Sequence, residues 1–194
     1  DYQQKALHIY DAVDYALNAV DVPVAGYGGE VDPQLRASTN IVEALKALGF
    51  SLKTEGLVTR GEGIDFLRVV GAKTAHRVDP ASARLLNAFH DAHAAPGAGR
   101  DPKRLRFVTY TLKYPKVAWL TVAGLTEHYR RAEVDAGIEG GRVVVHKAEN
   151  VEVLGLDRRA GASAVLGGRE LPLCRAAGTD LPVVYYRRGS GDGE

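Results

Sequence analysis

Methionine is absent, and cysteine and tryptophan each occur once in the 194 residues. A lone Cys174 excludes an internal disulfide and any multi-cysteine zinc site, but it does not fix the compartment, because many exported proteins also lack bridges. Its surroundings read as a buried strand. Neither charge dominates: 25 Lys and Arg stand against 24 Asp and Glu, for a formal net charge of +1. With no basic block and no acidic tail, bulk attraction to nucleic acid or to a membrane surface is not expected. No apolar run is long enough to span a bilayer, and DYQQKALHIYDAVDYALNAV lacks the basic start and apolar centre of a signal peptide. These absences predict a soluble chain. It has no initiator Met and opens inside what reads as an amphipathic helix, as expected if an upstream segment, with any targeting information, has been removed.

What is present is ordinary for a globular protein: 45% hydrophobic and 25% charged residues, in a length that buries one sizeable core or two small ones. Two units are preferred. Leu7, Tyr10, Val13, Leu17 and Val20 recur at helical spacing and predict a helix over most of 3–20. VPVAGY (22–27), stopped by Gly28 and Gly29, suits a strand buried on both faces of a parallel sheet. Asp32-Pro33 then reads as N-cap and first helical residue, with Leu35, Ile41, Val42, Leu45 and Leu48 as the apolar stripe and Gly49 as the stop. The pattern repeats in DFLRVVG (65–71), followed by Asp79-Pro80 and a helix bearing Leu85, Leu86 and Phe89. Strands alternating with helices imply a parallel sheet.

Gly and Pro in HAAPGAGRDP (93–102) mark a boundary, beyond which the period falls to two. RLRFVTYTLKYP (104–115), VAWLTVAGL (117–125) and LPVVYYRR (181–188) read as strands, while Gly140-Gly141 and Gly167-Gly168 sit where tight hairpins need positive φ. The expected fold class is α/β followed by all-β. The units are 1–100, a partial parallel sheet with its helices; 101–188, a small antiparallel β-sandwich; and 189–194, a flexible tail.

Functional groups in open α/β sheets collect in the loops at the carboxyl ends of strands. Asp32 and His76 both occupy such loops, 44 positions apart, with room for a helix and a strand between them. A carboxylate that accepts the imidazole Nδ1 proton fixes the tautomer and stabilises the imidazolium formed when Nε2 takes a proton from a serine. Asp32 has a rival reading, since Asp before Pro at a helix start is commonly a cap, as Asp79-Pro80 illustrates. Glu30 reads as a carboxylate bracing the loop.

Gly29-Glu30-Val31-Asp32 and Gly71-Ala72-Lys73-Thr74-Ala75-His76 resemble the G-E-x-D and G-x-x-x-x-H segments in the C-terminal part of α/β hydrolases of the prolyl oligopeptidase and dienelactone hydrolase type. The wider phrases VPVAGYGGEVDPQ and RFVTYTLKYPKVAWLTVAGL are similar to those of a bacterial subgroup of large, exported peptidase-like esterases in which a β domain follows the catalytic one. The resemblance implies a serine hydrolase acting on an ester or peptide, with Asp32 and His76 catalytic, a secreted or periplasmic location, and the first unit as the end of an α/β-hydrolase sheet. The family's order is Ser, Asp, His, and its G-x-S-x-G elbow would lie upstream of residue 1. Gly161-Ala162-Ser163-Ala164-Val165 lacks the last glycine, and Ser38, Ser51, Ser82 and Ser190 have no elbow around them. No hydrolysis is expected from this polypeptide alone.

No cofactor is called for. His90 and His93 share a helical face and raise the question of a metal with Asp91 or Asp79, but no third and fourth ligand stands at a recognisable spacing, so no metal is expected. His8, His128 and His146 carry no further context. Trp119, Tyr110, Tyr114, Tyr129, Tyr185 and Tyr186 offer a glycan-binding groove or, more simply, a sandwich core. The competing reading is therefore a noncatalytic two-domain module whose β part binds a glycan or a protein. Two strands are too few for a covered sheet, so association with another copy or with a missing N-terminal hydrolase part is expected.

Overall fold

A computed structural model describes residues 1–94, 102–173 and 183–187. Cys174, the boundary residues 95–101 and the tail 189–194 lie outside them. The chain divides into two compact units, Asp11–Gly99 and the remainder, in which Asp1–Tyr10 groups with Arg100–Glu194. Among the described residues no helix is long and apolar enough to cross a membrane.

The helix predicted over 3–20 is broken. A short helix α1 (Tyr2–Leu7) ends, and a 3₁₀ helix restarts at Ala12–Val20 with Asp11 as its cap, the Asp11 carboxylate accepting from Val13 N at 3.3 Å. A capping carboxylate inside the stripe supplies a chain start that periodicity alone does not show. Of the predicted stripe only Leu17 is buried, with Ala16 and Ala19 beside it, while Leu7 and Tyr10 are exposed.

Strand β1 (Val24–Gly29) follows, then α2 (Leu35–Ala47), β2 (Leu52–Glu55), β3 (Val58–Gly61), β4 (Phe66–Gly71) and α3 (Pro80–Ala94). The strands form one sheet in the order β1-β4-β3-β2. Helix α2 starts two residues later than Pro33, and its Val42 and Leu45 pack with Ala16, Ala19 and Phe66 in a core on one face of the sheet.

The expected fold class, α/β followed by all-β with a partial α/β-hydrolase parallel sheet, is not what forms. The described residues are mainly β, 41% strand against 27% helix, in three sheets with few helices. Parallel pairing in the first sheet is confined to β1 with β4; β3 runs antiparallel to β4, and β2 to β3. Residues 51–62 account for the difference. SLKTEGLVTRGE folds into a hairpin in which Thr54 and Thr59 join hydroxyls across the strands at 3.0 Å, and it occupies the edge of β4 that a helical crossover would have given to another parallel strand.

The second unit contains β5 (Arg104–Thr109), β6 (Lys116–Val117), β7 (Leu120–Leu125), β8 (Ala132–Glu139), β9 (Arg142–Glu149), β10 (Val151–Asp157), β11 (Ser163–Leu166), β12 (Arg169–Pro172) and β13 (Val183–Arg187). One sheet runs β13-β10-β7-β6 and the other β12-β11-β9-β8-β5. The diglycine turns form as the sequence predicts. Gly140 and Gly141 stand at φ 57° and 78° between β8 and β9, and Gly167 and Gly168 at 55° and 77° between β11 and β12, a conformation open to glycine at little cost. Both sheets contribute to one core: Leu105, Val134 and Val143 from the five-stranded sheet, Leu120, Val122 and Leu156 from the other. Asn150, at φ 55° between β9 and β10, donates to Glu127 O and Arg130 O and accepts from Glu127 N, fastening the β7–β8 connection.

Leu120 is fully buried in that core. Leu120→Ala is expected to lower unfolding free energy by about 2–5 kcal/mol, the usual cost of a lost isobutyl group plus the cavity left behind. Urea denaturation followed by Trp119 fluorescence checks this.

Candidate functional site

The parallel register pairs Gly29 with Gly71 at the carboxyl ends of β1 and β4, so the loops that follow both strands start side by side. Backbone bonds stitch them together. Glu30 N donates to Gly71 O at 2.9 Å, Val31 N to Thr74 O at 3.0 Å, and Asp32 N turns back to Gly29 O at 3.0 Å. The approach is close enough that a Cβ on Gly29 would stand 2.1 Å from Ala75 O and 2.4 Å from Thr74 O; one on Gly71 would stand 2.1 Å from the Tyr27 hydroxyl oxygen. At Gly29 the obstacle is the backbone of the neighbouring loop, and at Gly71 it is the side chains of Tyr27, Thr74 and Asp79, so a side chain at either place displaces the brace.

Side chains complete the brace. Glu30 Oε2 accepts from Lys73 N at 2.8 Å, which matches the loop-bracing reading of that residue, and Lys73 itself adopts φ 52°. Tyr27 donates its phenol proton to Arg77 O at 2.7 Å, and Thr74 Oγ1 lies 2.9 Å from the same phenol oxygen and 3.0 Å from Gly71 O. Sequence reading missed Tyr27 and Thr74. A tyrosine inside an apolar run and a threonine inside a loop carry no local sign of a contact formed 47 positions away.

On this platform Asp32 Oδ2 lies 2.9 Å from His76 Nδ1. The carboxylate is largely buried, 8% exposed, whereas the imidazole is 79% exposed. Nε2 takes no partner among the described residues, and the ring borders an open pocket of about 260 Å³ walled by Tyr27, Gly28, Gln34, Ala37, Arg77 and Val78. Asp32 Oδ1 accepts from Gln34 N at 2.8 Å, so the turn reading and the imidazole reading are met by different oxygens of one group. Asp79 provides the contrast. Its Oδ1 accepts from Ala81 N and Ser82 N, and its Oδ2 from the Ser82 hydroxyl at 2.6 Å, all on its own helix start. Asp79 is a cap; Asp32 is a turn brace with one oxygen given to a histidine.

The Gln34 N–H, and after it the His76 ring, hold the Asp32 carboxyl below the usual aspartate range, against the opposing effect of burial. A carboxylate so held orients the imidazole with Nδ1–H toward it and leaves Nε2 as the proton acceptor. The described serines do not reach that nitrogen: Ser38 donates to Leu35 O, Ser51 to Glu62, Ser82 to Asp79 and Ser163 to Glu170.

Other sequence candidates have ordinary surroundings. His93 Nδ1 lies 2.7 Å from Phe89 O, and its Nε2 lies 3.4 Å from Asp65, while His90 is exposed. Among the described residues no three His, Cys, Asp or Glu side chains gather as metal ligands. Trp119 and Tyr110 are core residues, the Trp119 indole donating to Pro102 O at 2.7 Å, whereas Tyr114, Tyr129 and Tyr185 are exposed. A larger groove of about 500 Å³ belongs to the second unit. On its rim Arg187 pairs with Glu152, and His146 Nε2 lies 2.9 Å from Glu139, a carboxylate left 57% exposed where that of Asp32 is 8% exposed. The chain matches no protein-family model, no curated protein and no solved structure.

Gly29→Ala is expected to part the two loops and lower stability by about 3 kcal/mol or more, since the added methyl meets backbone rather than a yielding side-chain tip. Chemical denaturation, with the His76 ring nitrogens followed by NMR, checks both effects. The second expectation concerns acid. Because the folded Asp32 pKa lies below its unfolded value, its stabilising contribution is complete above the ordinary aspartate pKa of about 3.9 and is lost as pH falls through the lowered folded value. A carboxyl-carbon NMR titration should place the Asp32 midpoint below about 3.9.

Proposed function

We propose that Asp32 and His76 are the acid and base of a hydrolytic site acting on an ester or peptide bond, and that the hydroxyl nucleophile comes from residues outside this sequence. The observation that carries the reading is the division of labour at the pair: a carboxylate 8% exposed lies 2.9 Å from Nδ1, while Nε2 has no partner among the described residues and the ring borders an open pocket. The motif resemblance supports the same chemistry independently of the sheet in which the motifs lie. His76 Nε2 accepts the proton of a serine as that oxygen attacks the acyl carbon, Asp32 stabilises the imidazolium, and His76 returns the proton to the leaving group. Water then attacks the acyl-serine by the same route.

Asp32→Asn is the informative substitution. The Asn amide keeps an oxygen for Gln34 N–H but presents an N–H to His76 Nδ1, which forces the ring proton onto Nε2 and removes the base. The chain alone is expected to take no label from a fluorophosphonate probe. The polypeptide encoded by the reading frame containing it is expected to take the label and to cleave p-nitrophenyl esters or aminoacyl p-nitroanilides. In that polypeptide His76→Ala and Asp32→Asn should each reduce kcat by about 10⁴-fold with unchanged circular dichroism. Near-wild-type turnover in both variants would leave the pair as a loop brace and end the assignment.

A further inference from the structure

A second cavity of the Asp11–Gly99 unit, about 250 Å³, lies among the 3₁₀ helix Ala12–Val20, α2, β1 and β4. Ala12, Ala16, Ala19, Val22, Val24 and Phe66 make its walls chiefly apolar, and Tyr15, Asn18 and Ser38 also line it. Arg68, from the middle of β4, lines the same space. Its Nε donates to Ser38 Oγ at 3.1 Å and an Nη to Thr39 Oγ1 at 2.9 Å. Two neutral hydroxyls answer only part of a five-donor fork.

No carboxylate pairs with Arg68 among the described residues, and burial unopposed by an acidic neighbour pulls its pKa below the usual arginine value. The group nonetheless stays charged at any ordinary pH. A half-buried cation without a counter-ion is costly, and such groups concentrate where ligands bind. The space beside it exists because its partner across the sheet is Gly26, where an added Cβ would meet nothing nearer than Ser38 Cβ at 3.9 Å. An apolar cavity of about 150 Å³ accepts benzene, so this one has room for a ring or short chain and an acidic head. One guanidinium balances one negative charge, and its planar fork matches a carboxylate in two-point contact.

We propose that this cavity binds a small organic monocarboxylate, its acidic head on Arg68 and its apolar body against Ala16, Ala19, Val24 and Phe66. The site is independent of the Asp32–His76 pair and of any activity assigned to it.

Titration of the whole chain with benzoate and with hexanoate, read by calorimetry and by the Arg68 Nε–H NMR signal, tests the assignment. The expected result is saturable one-site binding of at least one of them, with Arg68 Nε–H shifting, and no comparable binding of benzyl alcohol or inorganic phosphate. Arg68→Gln should weaken binding by about tenfold or more, the loss that goes with one charge-assisted contact. Gly26→Ala, which occupies cavity space without a collision, should weaken it while the protein stays folded, and so keeps the test decisive if Arg68→Gln fails to fold. Absence of a saturable shift with either acid, equal binding of phosphate or benzyl alcohol, or undiminished binding by folded Gly26→Ala overturns the proposal.

Discussion

The close parallel approach of β1 and β4 at Gly29 and Gly71 is the constraint on which the rest of the Asp11–Gly99 unit depends. Two strands that end in glycine allow the loops beyond them to touch through their backbones, and two backbone bonds between the loops then fix their relative height. Asp32 and His76 acquire their geometry from that contact rather than from each other. A single hydrogen bond between an exposed ring and a carboxylate contributes little on its own, whereas the frame of Glu30, Tyr27 and Thr74 bonds holds both residues whether or not the ring is charged.

Asp32 shows how a short acidic side chain serves structure and chemistry together. One oxygen closes a turn over Pro33 while the other meets an imidazole, and the chief difference from Asp79 lies in what the second oxygen faces. Local sequence cannot separate the two, because Asp-Pro opens both loops. Distinguishing them requires the position of His76, which is set by strand pairing between segments far apart in the chain.

What could be read in advance follows the same division. Gly-stopped apolar runs disclosed β1 and β4, and with them the loops carrying Asp32 and His76; diglycine pairs between alternating runs disclosed two hairpins. The β2–β3 hairpin was opaque because its residues are mostly exposed and its strands are only four residues each, so no apolar alternation marks them. That omission turned a mixed sheet into an expected parallel one, and with it the fold class. The break at Asp11 was hidden for the opposite reason: the apolar stripe runs through it, and only a capping bond reveals the chain restart. The Arg68 cavity left no trace in the sequence, since an arginine within a strand reads as a solvated residue until the helix above it is in place.

The order of contacts along the chain also bears on how the molecule reaches this state. Hairpin β2–β3 closes across a turn of two residues, and β3 meets β4 shortly after. Pairing β1 with β4 must instead close a loop that contains α2 and that whole hairpin, and loop-closure entropy makes this the slow contact. The Asp32–His76 bond spans the same loop. Its appearance during refolding therefore times the final closure of the sheet, and a chain arrested before that step would carry a complete hairpin and helix while its acid and base were still strangers in solution.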